Sequence, residues 1–498
     1  MSYDRIALVL GNCLFPSHQA LNPDSSTLFF MAEDHGLCTH YQYHKHKLIL
    51  FLSAMRSHAE EIEQAHKLVY HPLTAKNRSL SYTDKLKGTL SDHADIREIV
   101  TYDIEDHFFD KTIREFCEQE GLKLTIVDSP GFLTSKEKFC QYDQGAKKPF
   151  MQVFYKQQRK DLDILVSPDG DPLNGKWSFD EDNRKKYPKD IQFPSYPESE
   201  ETEHTEAVKA LVDELFPDHP GSSDNFYWAT TRRQILYRVN DFFQERFENF
   251  GPYEDAIDSR QAFGFHSLLS PYINMGLITP SEVVEKALEY YHEQDVHFPS
   301  VEGYIRQLIG WREFMRGIYH EYDDKLNVNY FGHQRQMKTC WYEGTTGIPP
   351  LDDSIKKAKQ YAYTHHIERL MILGNIMLLS ELDPKVVYRW FMEMYIDSAD
   401  WVMAPNVYGM SQYADGGIFA TKPYIGGANY IKKMSDYGSG DWEDEVNGLY
   451  WRFIDVNTET FSSNPRMGMM VATLNRMNAE KKERIFKAAE GFIERTTQ

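Results

Sequence analysis

Cysteine is scarce in this chain. The five among 498 residues (Cys13, Cys38, Cys117, Cys140 and Cys340) are scattered, and no two form a CxxC pair. That excludes a disulfide framework and a cysteine-based metal-ligand pattern. No apolar run approaches the ~20 residues that a membrane helix needs, so no membrane partner is expected. No internal repeat is visible, and no GxGxxG follows the first strand-like run, which removes the dinucleotide fingerprint. Positive charge is also in deficit: 55 Lys and Arg stand against 75 Asp and Glu, a net charge of −20. Duplex affinity rests largely on phosphate neutralisation. Any nucleic-acid contact therefore requires a local basic rim on an acidic surface, with strong salt dependence. Met1-Ser2-Tyr3-Asp4-Arg5 leads straight into the apolar run Ile6 to Leu10. This is no secretory leader, and the expected location is the cytoplasm.

The rest of the chain divides by pattern. Residues 1–130 alternate short apolar runs (Ile6–Leu10, Thr27–Met31, Leu68–Tyr70, Glu98–Tyr102, Leu122–Val127) with helical patterns at His44 to Ala65, Asp84 to Ala94 and Phe108 to Glu120, the last stopped by Gly121. That alternation predicts an α/β, Rossmann-like N-terminal domain with a parallel sheet covered on both faces. Gly11-Asn12 would lie at the carboxyl end of its first strand, where such sheets bind ligands. Residues 131–220 carry Pro149, Pro168, Pro172, Pro188, Pro194 and Pro197, and an acidic run from Pro197 to Glu206. They read as an irregular interdomain connector. Residues 221–498 read as a larger all-α C-terminal domain, with helices at Thr230–Asn249, Pro280–His292 (Thr279 as N-cap), Val301–Tyr319, Leu351–His366 continuing towards Leu379, Pro384–Ile396 and Asn478–Arg495.

The chemistry concentrates between His365 and Tyr430. His365-His366-Ile367-Glu368-Arg369 is followed by Trp390, Asp397, Trp401, Met403, Asn406 and then by Lys422-Pro423-Tyr424 and Gly427-Ala428-Asn429-Tyr430. Aromatic rings, amides, histidines and glycines alternate with almost no solvent-face charge. A pocket for a flat, polar, redox-active ring needs that mixture: apolar walls and a few fixed polar groups.

This stretch resembles the photolyase/cryptochrome superfamily, and within it the bacterial (6-4) photolyase branch known for an iron–sulfur cluster. Further matches are Val301-Glu302-Gly303-Tyr304 through Trp311-Arg312-Glu313-Phe314, His266-Ser267-Leu268-Leu269-Ser270, and Lys176-Trp177-Ser178-Phe179-Asp180, so the resemblance spans the chain. It implies that the helical domain binds FAD. Ser267, Leu268, Leu269 and Ser270 match the phosphate-binding element. Arg312, Arg369, Asp397 and Asn406 match positions around the flavin, and Met403 the position facing flavin N5, where relatives carry a carboxylate or an amide. A thioether neither donates nor ionises, so flavin redox behaviour is expected to differ. His365-His366 with Arg369 matches the HHxxR element of (6-4) photolyases, in which the second histidine faces the lesion. A (6-4) repair cycle needs a proton donor, and histidine supplies one near neutral pH. Leu370 stands where eukaryotic enzymes have another histidine, so the acid role falls on His366. Tyr424 and Tyr430 match lesion-pocket residues, with Lys422, Lys432, Lys433 and Arg452 as a phosphate-facing rim.

The resemblance also has departures. The family's cluster cysteines fall on Pro350, Gly438, Asp441 and the loop before Leu449; none is cysteine, so no iron–sulfur cluster is expected. Trp390 matches the flavin-proximal electron donor, but Phe391 replaces a tyrosine and Tyr342 a tryptophan; Trp341 and Tyr388 offer detours. In the N-terminal domain Gly11, Asn12, Glu33, His44 and Lys47 match the site of a 6,7-dimethyl-8-ribityllumazine antenna, with Asn12 in place of aspartate and Cys13 in place of glutamine. The resemblance implies a monomeric, light-driven photolyase that flips a (6-4) lesion out of UV-damaged DNA. The alternatives are a cryptochrome-like light receptor without repair activity and a cyclobutane-dimer photolyase.

Overall fold

A computed structural model describes residues 3–196 and 199–498. Met1 and Ser2, which precede the first apolar run, and Pro197 and Glu198, from the acidic connector, lie outside the described residues. Five strands form one sheet: β1 (Arg5–Leu8), β2 (Thr27–Ala32), β3 (Leu68–His71), β4 (Glu98–Tyr102) and β5 (Lys123–Val127). All pair in parallel, in the order β3-β2-β1-β4-β5. Every residue of β2 is buried, as a strand covered on both faces requires. The strand order reverses at β1, which puts Gly11-Asn12 at the switch point, as expected. The intervening helices Lys45–Glu63, Tyr82–Asp92 and His107–Glu120 fall where the periodicity predicts them, the last closed by Gly121 in the left-handed conformation.

The connector differs from the irregular segment expected. Among its described residues it contains three α-helices, Lys136–Gln144, Met151–Asp161 and Glu203–Leu215. The first two are built into the helical half: Phe139 and Phe154 pack against Phe314, and Tyr155 donates to Glu302 Oε1 at 2.9 Å. Their prolines lie between helices, so proline count overstated the irregularity. The two halves are also locked by Arg316, which donates to Glu105 Oε1 at 2.7 Å and to the Thr134 carbonyl at 2.9 Å.

In the helical half, Thr279 caps Pro280–Glu293 with a reciprocal bond to Glu282, and Asn478 caps Ala479–Thr496. The long helix expected from Leu351 to Leu379 is broken instead. Pro349–Tyr361 ends at Ala362, which takes a left-handed conformation, and the chain resumes as a helix after His365. Three segments widen into π-helical turns: Arg306–Arg312, Glu368–Gly374 and Pro405–Ser411. Such turns concentrate at functional sites because the extra residue re-aims side chains. No helix among the described residues is long and apolar enough to cross a membrane.

Candidate active site

All three π-helical turns face one cavity of about 1220 Å³ in the helical half. That exceeds the roughly 300–1,000 Å³ of ordinary small-molecule sites. Arg369 and Asp397 form its charged wall. Arg369 donates to both carboxylate oxygens, at 2.9 and 3.2 Å, and to the Thr364 carbonyl at 2.8 Å, while its guanidinium lies 3.9 Å from the centre of the Tyr395 ring. A two-point pair of this kind fixes orientation as well as charge. Asp397 also accepts from Ser270 Oγ at 2.7 Å.

Arg312 projects from the first π-helical turn over Phe132 and Trp401 and donates to the Gly131 carbonyl at 2.7 Å. Burial pushes its basicity down to about 10, and its Nε has no hydrogen-bond partner. Ser267, Leu268, Met403 and Asn406 line the same cavity. Leu268 holds a left-handed backbone at φ 57°, a conformation costly for a branched side chain and often retained at ligand sites. The mouth carries Tyr424, Tyr430, Lys422 and Lys433.

His366 lines the cavity with its Nε2 3.3 Å from Asp255 Oδ1. Crowding by protein favours the neutral ring, but the hydrogen bond that the ring donates to Asp255 and the charges of Glu254 and Asp255 outweigh it and raise the His366 pKa. His365 does not reach the wall. It is buried, stacked on His266 with ring centres 4.8 Å apart, and sits 3.4 Å from Glu368. His266, His365 and His366 bring ring nitrogens within 4.8 Å of one another. The stacked pair is tilted by only 11°. Metal ligation uses the lone pair in the ring plane, and two near-parallel planes cannot meet at one ion, so the trio is not laid out as a metal cage.

Several of the expected residues stand off the wall or are already engaged. Leu269 is packed in the core rather than on the wall, and the Ser270 hydroxyl is committed to Asp397 rather than free for a phosphate. Trp390 is fully buried, and Phe391 occupies the wall in its place. Adjacent helix residues point about 100° apart, and Trp390 is turned away to donate to the Trp341 carbonyl at 2.8 Å. Tyr342 is removed from the cavity as well and donates to Glu393 at 2.7 Å. Arg452 pairs with Glu381 and Lys432 with Glu443, so the rim belongs to Lys422 and Lys433, joined by Lys176 from the connector, where Arg184 is taken up by Asp180. Asp255 carried no sequence signal beyond the pattern of its neighbours.

The N-terminal positions do not converge on one ligand. Glu33 is buried under Arg56, Tyr70 and the Leu73 amide. His44 binds the Lys359 carbonyl, and Lys47 reaches Ser398 at 2.6 and 2.8 Å. Gly11 packs against Met55, and Asn12 Oδ1 lies near Cys13. The side-chain polar atoms of Glu33, His44 and Lys47 are thus engaged by protein in this arrangement.

Comparison with known proteins adds the decisive finding. The chain is 34% identical over 503 residues to a (6-4) photolyase of Agrobacterium fabrum, covering 98% of this chain and 99% of that one. The chain belongs to the photolyase/cryptochrome superfamily. The deoxyribodipyrimidine photo-lyase-related protein family matches residues 7–228. The superfamily fold also extends to a bacterial class III photolyase from Agrobacterium tumefaciens (TM-score 0.61, 16% identity, 99% of this chain and 98% of that one) and to a cryptochrome of Synechocystis (TM-score 0.58, 13% identity, 99% of each). Photolyases bind FAD and act on UV-damaged DNA. The cavity fits the cofactor: its volume, the Arg369–Asp397 pair and the unpartnered Arg312 Nε suit a large anionic ligand with a flat ring.

The iron–sulfur cluster of the bacterial (6-4) branch does not fit. Pro350 is buried in a helix start, Asp441 is exposed, and Gly438 accepts from the Trp442 indole at 3.2 Å. Among the described residues no cysteine belongs to a group of three potential ligands. Iron analysis of the purified protein should give background; about four irons per chain, as in a thiolate-held 4Fe–4S cluster, would contradict this.

Proposed function

We propose that this chain is a light-driven, FAD-dependent DNA photolyase that reverses (6-4) pyrimidine–pyrimidone photoproducts. One observation carries the reading: the wall holding the Arg369–Asp397 pair also presents His366, a histidine in contact with Asp255 whose surroundings raise its proton affinity. When bound, reduced FAD supplies the light-driven electron that opens the lesion. Arg369, Asp397, Arg312 and Asn406 orient the cofactor and hold its charge. His366 gives the proton that the migrating hydroxyl requires. Tyr424 and Tyr430 offer aromatic faces to a flipped base. Lys422 and Lys433 supply positive charge at the mouth of an acidic protein. Cyclobutane-dimer repair needs an electron but no such proton, so His366 favours the (6-4) lesion.

The test is to illuminate the reduced protein with oligonucleotides carrying each lesion and to assay restored bases. Restoration of the (6-4) site alone is expected. Restoration of the cyclobutane dimer alone would reassign the lesion, and restoration of neither would leave a light receptor.

Trp390 is the internal electron source in this reading, reaching the wall through Phe391, whose ring centre is 5.3 Å from its own. Trp390→Phe should slow light-driven flavin reduction at least ~10-fold (about 1.4 kcal/mol in barrier), read by bleaching of the oxidised-flavin absorption, with flavin content retained. Phe391→Tyr should leave the rate unchanged or faster. Normal reduction in Trp390→Phe would move the source elsewhere, with Trp401 on the wall as the first alternative.

A further inference from the structure

Three neighbouring imidazoles are treated differently by their surroundings. His266 is 7% exposed and His365 4%. Burial pushes His266 down to about 3, and burial and the neighbouring imidazoles hold His365 well below its ordinary value. Both rings are therefore neutral at physiological pH. The His366 side chain is 46% exposed, and that exposure is to the cavity. Its environment raises rather than lowers its proton affinity.

The difference comes from the turn around residues 251–255. Asp255 and Glu254 both face His366, but Glu254 is already engaged. It accepts from Gln307 at 2.6 Å and from Asn183 at 2.9 Å, and lies 3.6 Å from Arg306. Asp255 is the carboxylate in contact with the ring, 3.3 Å from Nε2; the Arg184 guanidinium stands 3.9 Å away from it on another side. Arg306, His266 and His365 also face His366, and none of them favours a charged ring.

Resting on the reading of His366 as the acid, we infer that Asp255 is its positioning residue: it holds Nε2–H and thereby leaves Nδ1–H as the proton delivered to the substrate oxygen. In the cationic ring both nitrogens carry protons. The Nδ1–H bond breaks, its electron pair stays on the ring, and the new O–H bond forms on the substrate. The product is the neutral Nε2–H tautomer, which Asp255 still holds. Fixing one tautomer through the far nitrogen is the service an aspartate gives a histidine in acid–base catalysis generally. Asp255 itself touches neither substrate nor cofactor in this scheme.

The experiment uses the FAD-loaded protein with histidines labelled at Cε1. The His366 resonance is identified by its loss in His366→Asn. Its titration midpoint and the pH profile of (6-4) repair are read in wild type, Asp255→Asn and Asp255→Glu. An acid must be protonated, so repair is present below the His366 pKa and is lost as pH rises through it. In Asp255→Asn the midpoint should fall by about one pH unit or more, the shift typical of removing an opposite charge within ~4–6 Å. The falling limb of the repair profile should move down by the same amount, while flavin absorbance per chain stays unchanged. Asp255→Glu should restore both.

An unmoved midpoint in Asp255→Asn overturns the assignment of Asp255 alone. So does loss of repair at every pH with parallel loss of flavin, which marks a purely structural role. A lowered midpoint together with normal repair by His366→Asn overturns the acid reading itself, and the role of Asp255 in repair with it.

Discussion

His366→Asn is expected to lower (6-4) repair by about 10² to 10⁴, the range that general acid catalysis typically contributes. Asparagine matches the width of the imidazole and keeps a hydrogen-bond donor, but it cannot release a proton at useful cost. His366 lies on the cavity wall rather than in the core, so its replacement leaves no buried void. FAD content and thermal stability should therefore remain near wild type. His365→Asn should behave differently. His365 is buried between His266 and Glu368, so its loss should lower stability before it changes chemistry. Full repair by His366→Asn would reject the acid role. Loss of flavin in step with loss of repair would mark His366 as a packing residue instead.

Arg369→Ala should remove FAD and destabilise the helical half. The change strips Asp397 of a two-point partner and leaves a largely buried carboxylate facing the cavity with only Ser270 Oγ on its side chain. Breaking a buried ion pair from one side costs about 3–5 kcal/mol. The stacking on Tyr395 and the bond to the Thr364 carbonyl are lost as well. Flavin absorbance per chain and the thermal midpoint report the two consequences separately. Arg369→Lys should fall between, because an ammonium cannot meet both oxygens in one plane. Retention of full flavin content in Arg369→Ala would mean that the pair is not what holds the cofactor.

The basic rim shows how the site mixes what was legible with what was not. Lys422 and Lys433 are readable as a positive pair beside pocket tyrosines, and both face the cavity. Arg452 is as basic, yet Glu381 takes it up at 2.6 Å. Lys176 comes from a connector whose prolines suggested only irregularity, and Arg184 nearby is taken up by Asp180. Sequence shows charge but not which charges are neutralised by neighbours distant in the chain. Trp390 and Phe391 make the same point at closer range. The motif marks the pair, and the rotation of one helix decides which ring meets the cavity.

What the sequence determined by itself is local or periodic. The five strands follow from short apolar runs, the helix ends from Gly121, Thr279 and Asn478, and the family from motifs spread along the whole chain. These signals need only neighbours a few residues away, or a pattern matched position by position. Tertiary structure decided the rest. It set three π-helical turns around one cavity, broke the expected Leu351–Leu379 helix at Ala362, and gave Glu33, His44 and Lys47 protein partners. It also brought Asp255 to His366, 111 residues along the chain (366 minus 255). Proton affinity in a buried site depends on which charges and dipoles lie within a few ångströms. Three histidines therefore acquired opposite shifts in proton affinity, down for His266 and His365 and up for His366, only when the chain closed around them.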